Sequence, residues 1–167
     1  RPRKHLITFF GRLKTPSRKL FGKVCQKNSE CNLIDTLKYP NRTKKDFSVM
    51  ARQVFLQSVF CFQHSGDDYT RSSLFESLFA GCIPVIITPF ILDRQYPLHI
   101  PQPHRISVLF PKPKREEDIL KMFSFLKNLS KERILGMQKD ILDLLPRIQW
   151  SNPTFLKVTM TSSQLKP

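Results

Sequence analysis

Acidic residues are scarce in this chain. Only 13 Asp and Glu stand against 28 Lys and Arg, a net charge of +15 over 167 residues. Such an imbalance attracts polyanions, whether nucleic acid, anionic glycan or membrane surface, without choosing among them; a basic surface with no specific partner fits it too. No apolar run approaches the roughly 20 residues of a membrane-spanning helix. Glycine is rare, with five residues, and neither G-x-G-x-x-G nor the P-loop pattern occurs, so two common glycine-built phosphate cradles are excluded. The four cysteines, Cys25, Cys31, Cys61 and Cys82, contain no C-x-x-C, which excludes paired zinc-type ligation. His64 and His99 lack metal-ligand spacing and read as structural or incidental. No methionine and no signal peptide open the chain, which starts RPRKHLITFF and reads as a piece of a longer protein.

What is present is core material. Apolar residues make up 40%, with 14 Phe, enough for one domain with a sizeable core and too much for global disorder. HLITFFG, His5 to Gly11, reads as a buried strand ended by glycine. Lys14 to Asn32 reads as a basic loop with a short helix at most. DTLKYPNRTKKD is turn-like, and from Asp46, placed near an N-cap, Phe47, Met50, Val54 and Phe55 repeat at helical spacing. SVFCFQ, Ser58 to Gln63, is the next strand. Leu74, Phe75, Leu78 and Phe79 then mark a helix, with Ser73-x-x-Glu76 resembling a capping box and Gly81 suited to the stop. CIPVIIT, Cys82 to Thr88, is near-continuously apolar, as strands buried on both faces are. Pro89 to Pro103 reads as a long loop and Arg105 to Phe110 as a strand. Two helices follow, around Ile119 to Leu126 and after a Ser130 cap. Strands alternating with helices predict an α/β domain with a Rossmann-like parallel sheet spanning 1–153, and a polar, loose tail over 154–167. Asn41-Arg42-Thr43 and Asn128-Leu129-Ser130 are N-glycosylation sequons, a weak pointer to a secretory compartment.

The stretch HSGDDYTRSSLFESLFAGCIPVIIT, His64 to Thr88, concentrates the chemistry. It follows one strand, opens a helix and leads to the next strand, and ligands of open parallel sheets bind at such strand ends. The helix N-terminus offers unpaired N–H groups and a positive dipole end, suited to phosphate. Arg71 lies in the first turn, where a cation opposes the dipole unless an anion sits beside it. Glu76 could accept hydrogen bonds from ribose hydroxyls. Each residue has a plainer reading: Asp67 and Asp68 as turn and cap residues, Arg71 as a solvated charge, Glu76 as the capping-box partner.

The ordered residues SVFCFQHSGDDYTRSSLFESLFAGCIPVIITP resemble the signature of the exostosin-like glycosyltransferases, glycosyltransferase family forty-seven, and within it the plant xyloglucan galactosyltransferase branch. The likeness extends to RKHLITFFG, YPLHIPQPHRISVLFP and MQKDILDLLPRIQWSNP, and so over Arg3 to Pro153. It implies the C-terminal, nucleotide-sugar-binding lobe of a two-lobed GT-B enzyme. Such an enzyme transfers a sugar, galactose in this branch, from a UDP-sugar to a cell-wall polysaccharide such as xyloglucan, with inversion and without a bound metal or other cofactor. Arg71 would contact the donor diphosphate and Glu76 the ribose. Asp67, Asp68, Tyr69, Thr70, Ser72 and Ser73 would line the phosphate and sugar end, and Gly81 would let helix and strand approach closely. The catalytic base would stand in an N-terminal lobe outside this sequence. The resemblance further implies the lumenal domain of a type II Golgi membrane protein, association with other Golgi glycosyltransferases, and no nucleic-acid partner. It gives the cysteines a reading, a Cys61–Cys82 bridge and with it Cys25–Cys31, against the alternative of buried free thiols. Ser72 stands where relatives carry a second arginine, and Glu76 where the plant branch often carries Asp. An inactive remnant that keeps the fold, and a basic nucleic-acid-binding module, are the alternative readings.

Overall fold

The computed structural model describes residues 2–64, 72–88, 90–93, 97 and 99–148. Asp67, Asp68, Tyr69, Thr70 and Arg71 lie outside the described residues, as does the tail over 154–167. Among the described residues the strands β1 (His5–Gly11), β2 (Cys31–Asp35), β3 (Ser58–Gln63), β4 (Ile83–Ile86) and β5 (Val108–Leu109) form one sheet in the order β2-β1-β3-β4-β5. Every pairing is parallel, so each connection must cross over, and helices supply the crossovers: α1 (Pro16–Cys25), α2 (Lys44–Phe55), α3 (Ser72–Phe79), and the short α4 (Phe90–Asp93) and α5 (Pro103–Ile106), followed by α6 (Glu116–Lys127) and α7 (Lys131–Ile148).

The α/β prediction holds, with local corrections. The segment read as a loop holds α1 and β2. Thr15-Pro16 starts α1: the Thr15 side chain accepts from the Arg18 N–H at 3.4 Å, and proline occupies the first position, where its missing N–H costs nothing. The cap of helix α2 stands three residues before the expected one: Thr43 is the N-cap and Asp46 its capping-box partner. The last strand shortens to Val108–Leu109, because the residues before it coil into α5 behind Pro103.

Alternation along β1 divides the core. Phe9 meets Phe21 of α1, and Phe21 stacks on Phe62 of β3 at 4.1 Å and touches Phe123 of α6. Phe10, one residue on and so on the opposite face, meets Phe47 and Phe55 of α2. On this second face Cys61 of β3 is bonded to Cys82, just before β4, with Cα atoms 6.0 Å apart; both are fully buried beside Ala51 and Ala80. Cys25, ending α1, is bonded to Cys31, starting β2, at a Cα separation of 5.2 Å.

At the N-terminal ends of the strands Arg3 gathers the sheet and two helices. Its guanidinium donates to the carbonyls of Phe55 and Ser58 at 2.9 and 2.7 Å, and to those of Ala80 and Gly81 at 2.8 and 3.0 Å. The Phe55, Ala80 and Gly81 carbonyls lie at the ends of α2 and α3, where four acceptors per helix lack helical partners and the dipole is negative, and the Ser58 carbonyl opens β3. Gly81, at φ 60°, completes a Schellman stop for α3: Cys82 N–H donates to Ser77 O and Gly81 N–H to Leu78 O, both at 2.9 Å.

Candidate functional site

Strand order fixes where a ligand can enter. From β1 the chain crosses through α1 towards β2 at one edge, and from β3 through α3 towards β4 on the other side. The two crossovers part between β1 and β3, and a crevice opens at their carboxyl ends. In the 2-1-3-4-5 order this is the switch point at which ligands bind.

Two adjacent residues at the end of β3 tie both helix N-termini to that crevice. Gln63, 2% exposed, accepts from Ser73 Oγ at 3.0 Å and donates to the Ser73 carbonyl at 3.3 Å. The first turn of α3 is thereby held to the strand. His64, 3% exposed, places Nε2 at 2.5 Å from Ser17 Oγ and 3.5 Å from Thr15 Oγ1, which holds the first turn of α1 in the same way. Arg18, buried in that turn, donates to the Arg12 carbonyl at 3.1 Å. Ser17 and Arg18 are absent from the sequence reading, and His64, read there as structural or incidental, has this structural role. The Thr-Pro-Ser start after a glycine-ended strand is the signal that places α1, and with it Ser17 and Arg18, beside the crevice.

Of the residues singled out from sequence, Ser72, Ser73 and Glu76 sit on the first half of α3. The capping-box reading fails: Ser73 lies inside the helix and bonds to Gln63, while Glu76 turns towards α2. Glu76 Oε1 accepts from Ser48 Oγ, and Oε2 accepts from Arg52 Nε and Nη2 at 3.2 and 3.0 Å. The pair is largely shielded, with side chains 15% and 27% exposed. A carboxylate has about four acceptor positions, so one remains on Oε1 for a ligand hydroxyl. Gly81 stands at the far end of α3, against Arg3, where it serves the helix stop. Asn41 is exposed, and so is Asn128 at the C-cap of α6.

Among the described residues no group of His, Cys, Asp or Glu is arranged to hold a metal ion, and no helix is long and apolar enough to cross a membrane. An open groove of about 380 Å³ runs between α5 and α7, with Ile106 and Leu144 below and Arg105, Asp140 and Arg147 at its rim. Arg105 is bound there to Asp140 at 2.6 and 3.0 Å, and that bond raises its guanidinium above the ordinary value. Among the described residues the groove's lining includes none of Gln63, His64, Ser17 and Ser73 at the β1/β3 crevice.

Comparison with known proteins supplies what geometry leaves open. The exostosin GT47 domain matches residues 1–123. Over 162 residues, 92% of this chain and 30% of the other, the sequence is 33% identical to a probable xyloglucan galactosyltransferase, GT12, of Arabidopsis thaliana. It is 38% identical over 117 residues, 66% of the chain, to the probable xyloglucan galactosyltransferase GT14 of that plant, covering 22% of it. Identity to its xyloglucan galactosyltransferase MUR3 is 29% over 156 residues, covering 90% of this chain and 25% of MUR3. The chain thus spans a third or less of the length of these relatives. Among solved structures, the C-terminal domain of a glycosyl transferase group 1 family protein (LpcC) from Francisella tularensis aligns over 89% of each chain, at 15% identity and a TM-score of 0.47. By the domain match over most of its length, the chain belongs to the exostosin GT47 family.

Proposed function

We propose that this chain is the donor-binding lobe of a GT47 glycosyltransferase. In this reading it binds a UDP-sugar at the β1/β3 crevice and serves transfer of galactose to a cell-wall polysaccharide such as xyloglucan. The observation that carries it is the position of the β3–α3 junction. The family motif His64 to Thr88 starts at the carboxyl end of a central strand of a parallel sheet, at the switch point. There the first turn of α3 offers backbone N–H groups to a diphosphate, Arg71 adds the charge that offsets the leaving group, and Glu76 offers its remaining acceptor to a ribose hydroxyl. Asp67, Asp68, Tyr69, Thr70, Ser72 and Ser73 complete the phosphate and sugar end. No metal enters this scheme. The acceptor hydroxyl, deprotonated by a base on a second lobe, attacks the anomeric carbon in line and inverts it. Two disulfides fit an oxidising compartment, here the Golgi lumen, with the lobe carried on a type II membrane protein among other glycosyltransferases and the exposed Asn41 and Asn128 open to glycosylation.

Titration calorimetry with UDP on wild type, Arg71→Ala and Glu76→Gln tests the site. Each substitution is expected to weaken binding at least about tenfold, the scale of one lost charged hydrogen bond. UDP binding that neither change weakens refutes the assignment. A second reading, binding without transfer, is favoured by Ser72: relatives have a second arginine there, and the site then has one charge fewer for the leaving diphosphate. Sugar transfer by the whole gene product, compared with its Ser72→Arg variant, separates the two readings.

A further inference from the structure

The carboxyl edge of β1 and β2, beside the crevice, carries a dense run of unpaired cations. Arg12 and Lys14 follow β1; Lys38, Arg42, Lys44 and Lys45 follow β2 and open α2. All six are exposed. Among the described residues none is in an ion pair, although elsewhere Lys23 and Lys127 find Glu116 and Glu30. The two segments share one edge because Gly11 pairs with Asp35 in the sheet. The described carboxylates nearest them are already engaged. Asp35 accepts from the Leu13 and Leu37 N–H groups at 3.4 and 3.1 Å, and Asp46 accepts from the Thr43 N–H and hydroxyl, both at 2.9 Å.

The position of two of these cations argues for a ligand. Lys44 and Lys45 occupy the first turn of α2, where Asp46 is the single acid; this is the positive end of the dipole, where cations destabilise a helix. The same chain follows the opposite rule at α6, whose first turn is Glu116, Glu117 and Asp118. Amid the cations Tyr39 is 38% and Leu37 51% exposed, an apolar and aromatic platform on which a sugar ring can stack.

We infer that this edge binds a carboxylate-bearing polysaccharide, a chain of uronate residues laid across α2's first turn beside the crevice. The inference rests on the transferase reading and goes beyond it: it names an acidic polymer held beside the donor site, separate from the neutral acceptor of that reading. Two observations select the glycan among polyanions. Two disulfides place the folded chain away from nucleic acid, in an oxidising compartment. Anionic lipid is concentrated on the cytoplasmic leaflet, the other side of such a compartment.

The test uses the 167-residue chain and a defined oligogalacturonide, with a neutral xyloglucan oligosaccharide, a DNA oligonucleotide and phosphatidylserine vesicles as competitors, at about 0.15 M salt where long-range attraction is screened. Wild type should prefer the oligogalacturonide to every competitor. The fourfold variant Lys38→Gln, Arg42→Gln, Lys44→Gln, Lys45→Gln should lose about tenfold or more, at a few-fold per exposed charge, with a shallower salt dependence. A charge-keeping variant with Lys38→Arg, Lys44→Arg and Lys45→Arg should retain binding, which guards against a misfolded control. Equal affinity for the neutral oligosaccharide, tighter binding to DNA or vesicles, or an unaffected fourfold variant each overturn the proposal. UDP titrations on the same samples keep the two readings apart. UDP binding without oligogalacturonide binding sinks only this surface. Oligogalacturonide binding without UDP binding sinks the donor site and leaves the surface standing.

Discussion

Arg3→Ala removes one side chain and takes the guanidinium donor from four carbonyls, on Phe55, Ser58, Ala80 and Gly81, of which Gly81 keeps Gln138 Nε2 at 3.2 Å. A hydrogen bond to a charged group contributes about 1.5–3 kcal/mol, but these four share one guanidinium and do not add. The relevant comparison is the set of acceptors left unsatisfied, about 1–3 kcal/mol each and not additive, so about 3 kcal/mol in all. Against a total stability of about 5–15 kcal/mol that is a large fraction, and for a domain of this size it lowers Tm by roughly 6–12 °C. Urea denaturation followed by far-UV circular dichroism measures it, and the midpoint should fall with an unchanged slope. Arg3→Lys, with three donors on a compact head in place of a fork, should recover part of the loss. Burial lowers the Arg3 guanidinium from its ordinary value, yet that value is so high that the group stays charged, so the difference between wild type and Arg3→Ala should be flat from about pH 5 to 9. A loss below about 1 kcal/mol refutes the claim that Arg3 holds the ends of α2 and α3 to the sheet.

Three further outcomes follow from local geometry. Replacing Cys61 and Cys82 together by serine frees a 21-residue separation and should cost about 3 kcal/mol on the chain-entropy account, against about 2 for Cys25 and Cys31; melting of the paired variants under oxidising conditions compares them, and the reverse order refutes the estimate. Gly81→Ala forces a Cβ into left-handed backbone, 3.1 Å from Arg3 Nη2, and should cost about 1–2 kcal/mol in the same denaturation; a neutral result removes the steric argument. Asp118 is held below the usual carboxylate range by the N–H groups of Lys114 and Arg115, at 2.8 and 3.0 Å. Its stabilisation is therefore present above its unfolded value of about 3.9 and is lost as pH falls through the lower folded value. Asp118→Asn should flatten the acid limb of a stability–pH curve, and an unchanged limb counts against the cap.

Elements with one dominant local signal were legible in the sequence. β1 and β3 occur where HLITFFG and SVFCFQ predict them, because β-rich apolar runs between polar breaks leave few alternatives, and Gly81 stops α3 as its position implied. Two misreadings share a cause. Helix α1 is amphipathic on a basic background, with Phe21 and Val24 buried amid four Lys and Arg between Lys14 and Lys23, so charge masked its period. Glu76 was paired with Ser73 because sequence shows only near neighbours. Its partners Ser48 and Arg52 lie on another helix, and only the packing of α2 against α3 brings them to it. His64 reads as structural or incidental in sequence, but its partners do not show there, since its contacts with Ser17 and Thr15 cross the crevice from β3 to α1.

Helix α3 is fastened at its first turn by Gln63, at its middle by Arg52 and Ser48 through Glu76, and at its end by Arg3. With three anchors on three separate elements it has no independent hinge, and it can move only with the sheet. Most of the ordering of its first turn is then completed during folding, so little entropy is left to be lost when a ligand arrives. A donor would meet a mould set in advance, and adaptation to different sugars would fall to parts of the enzyme outside this helix.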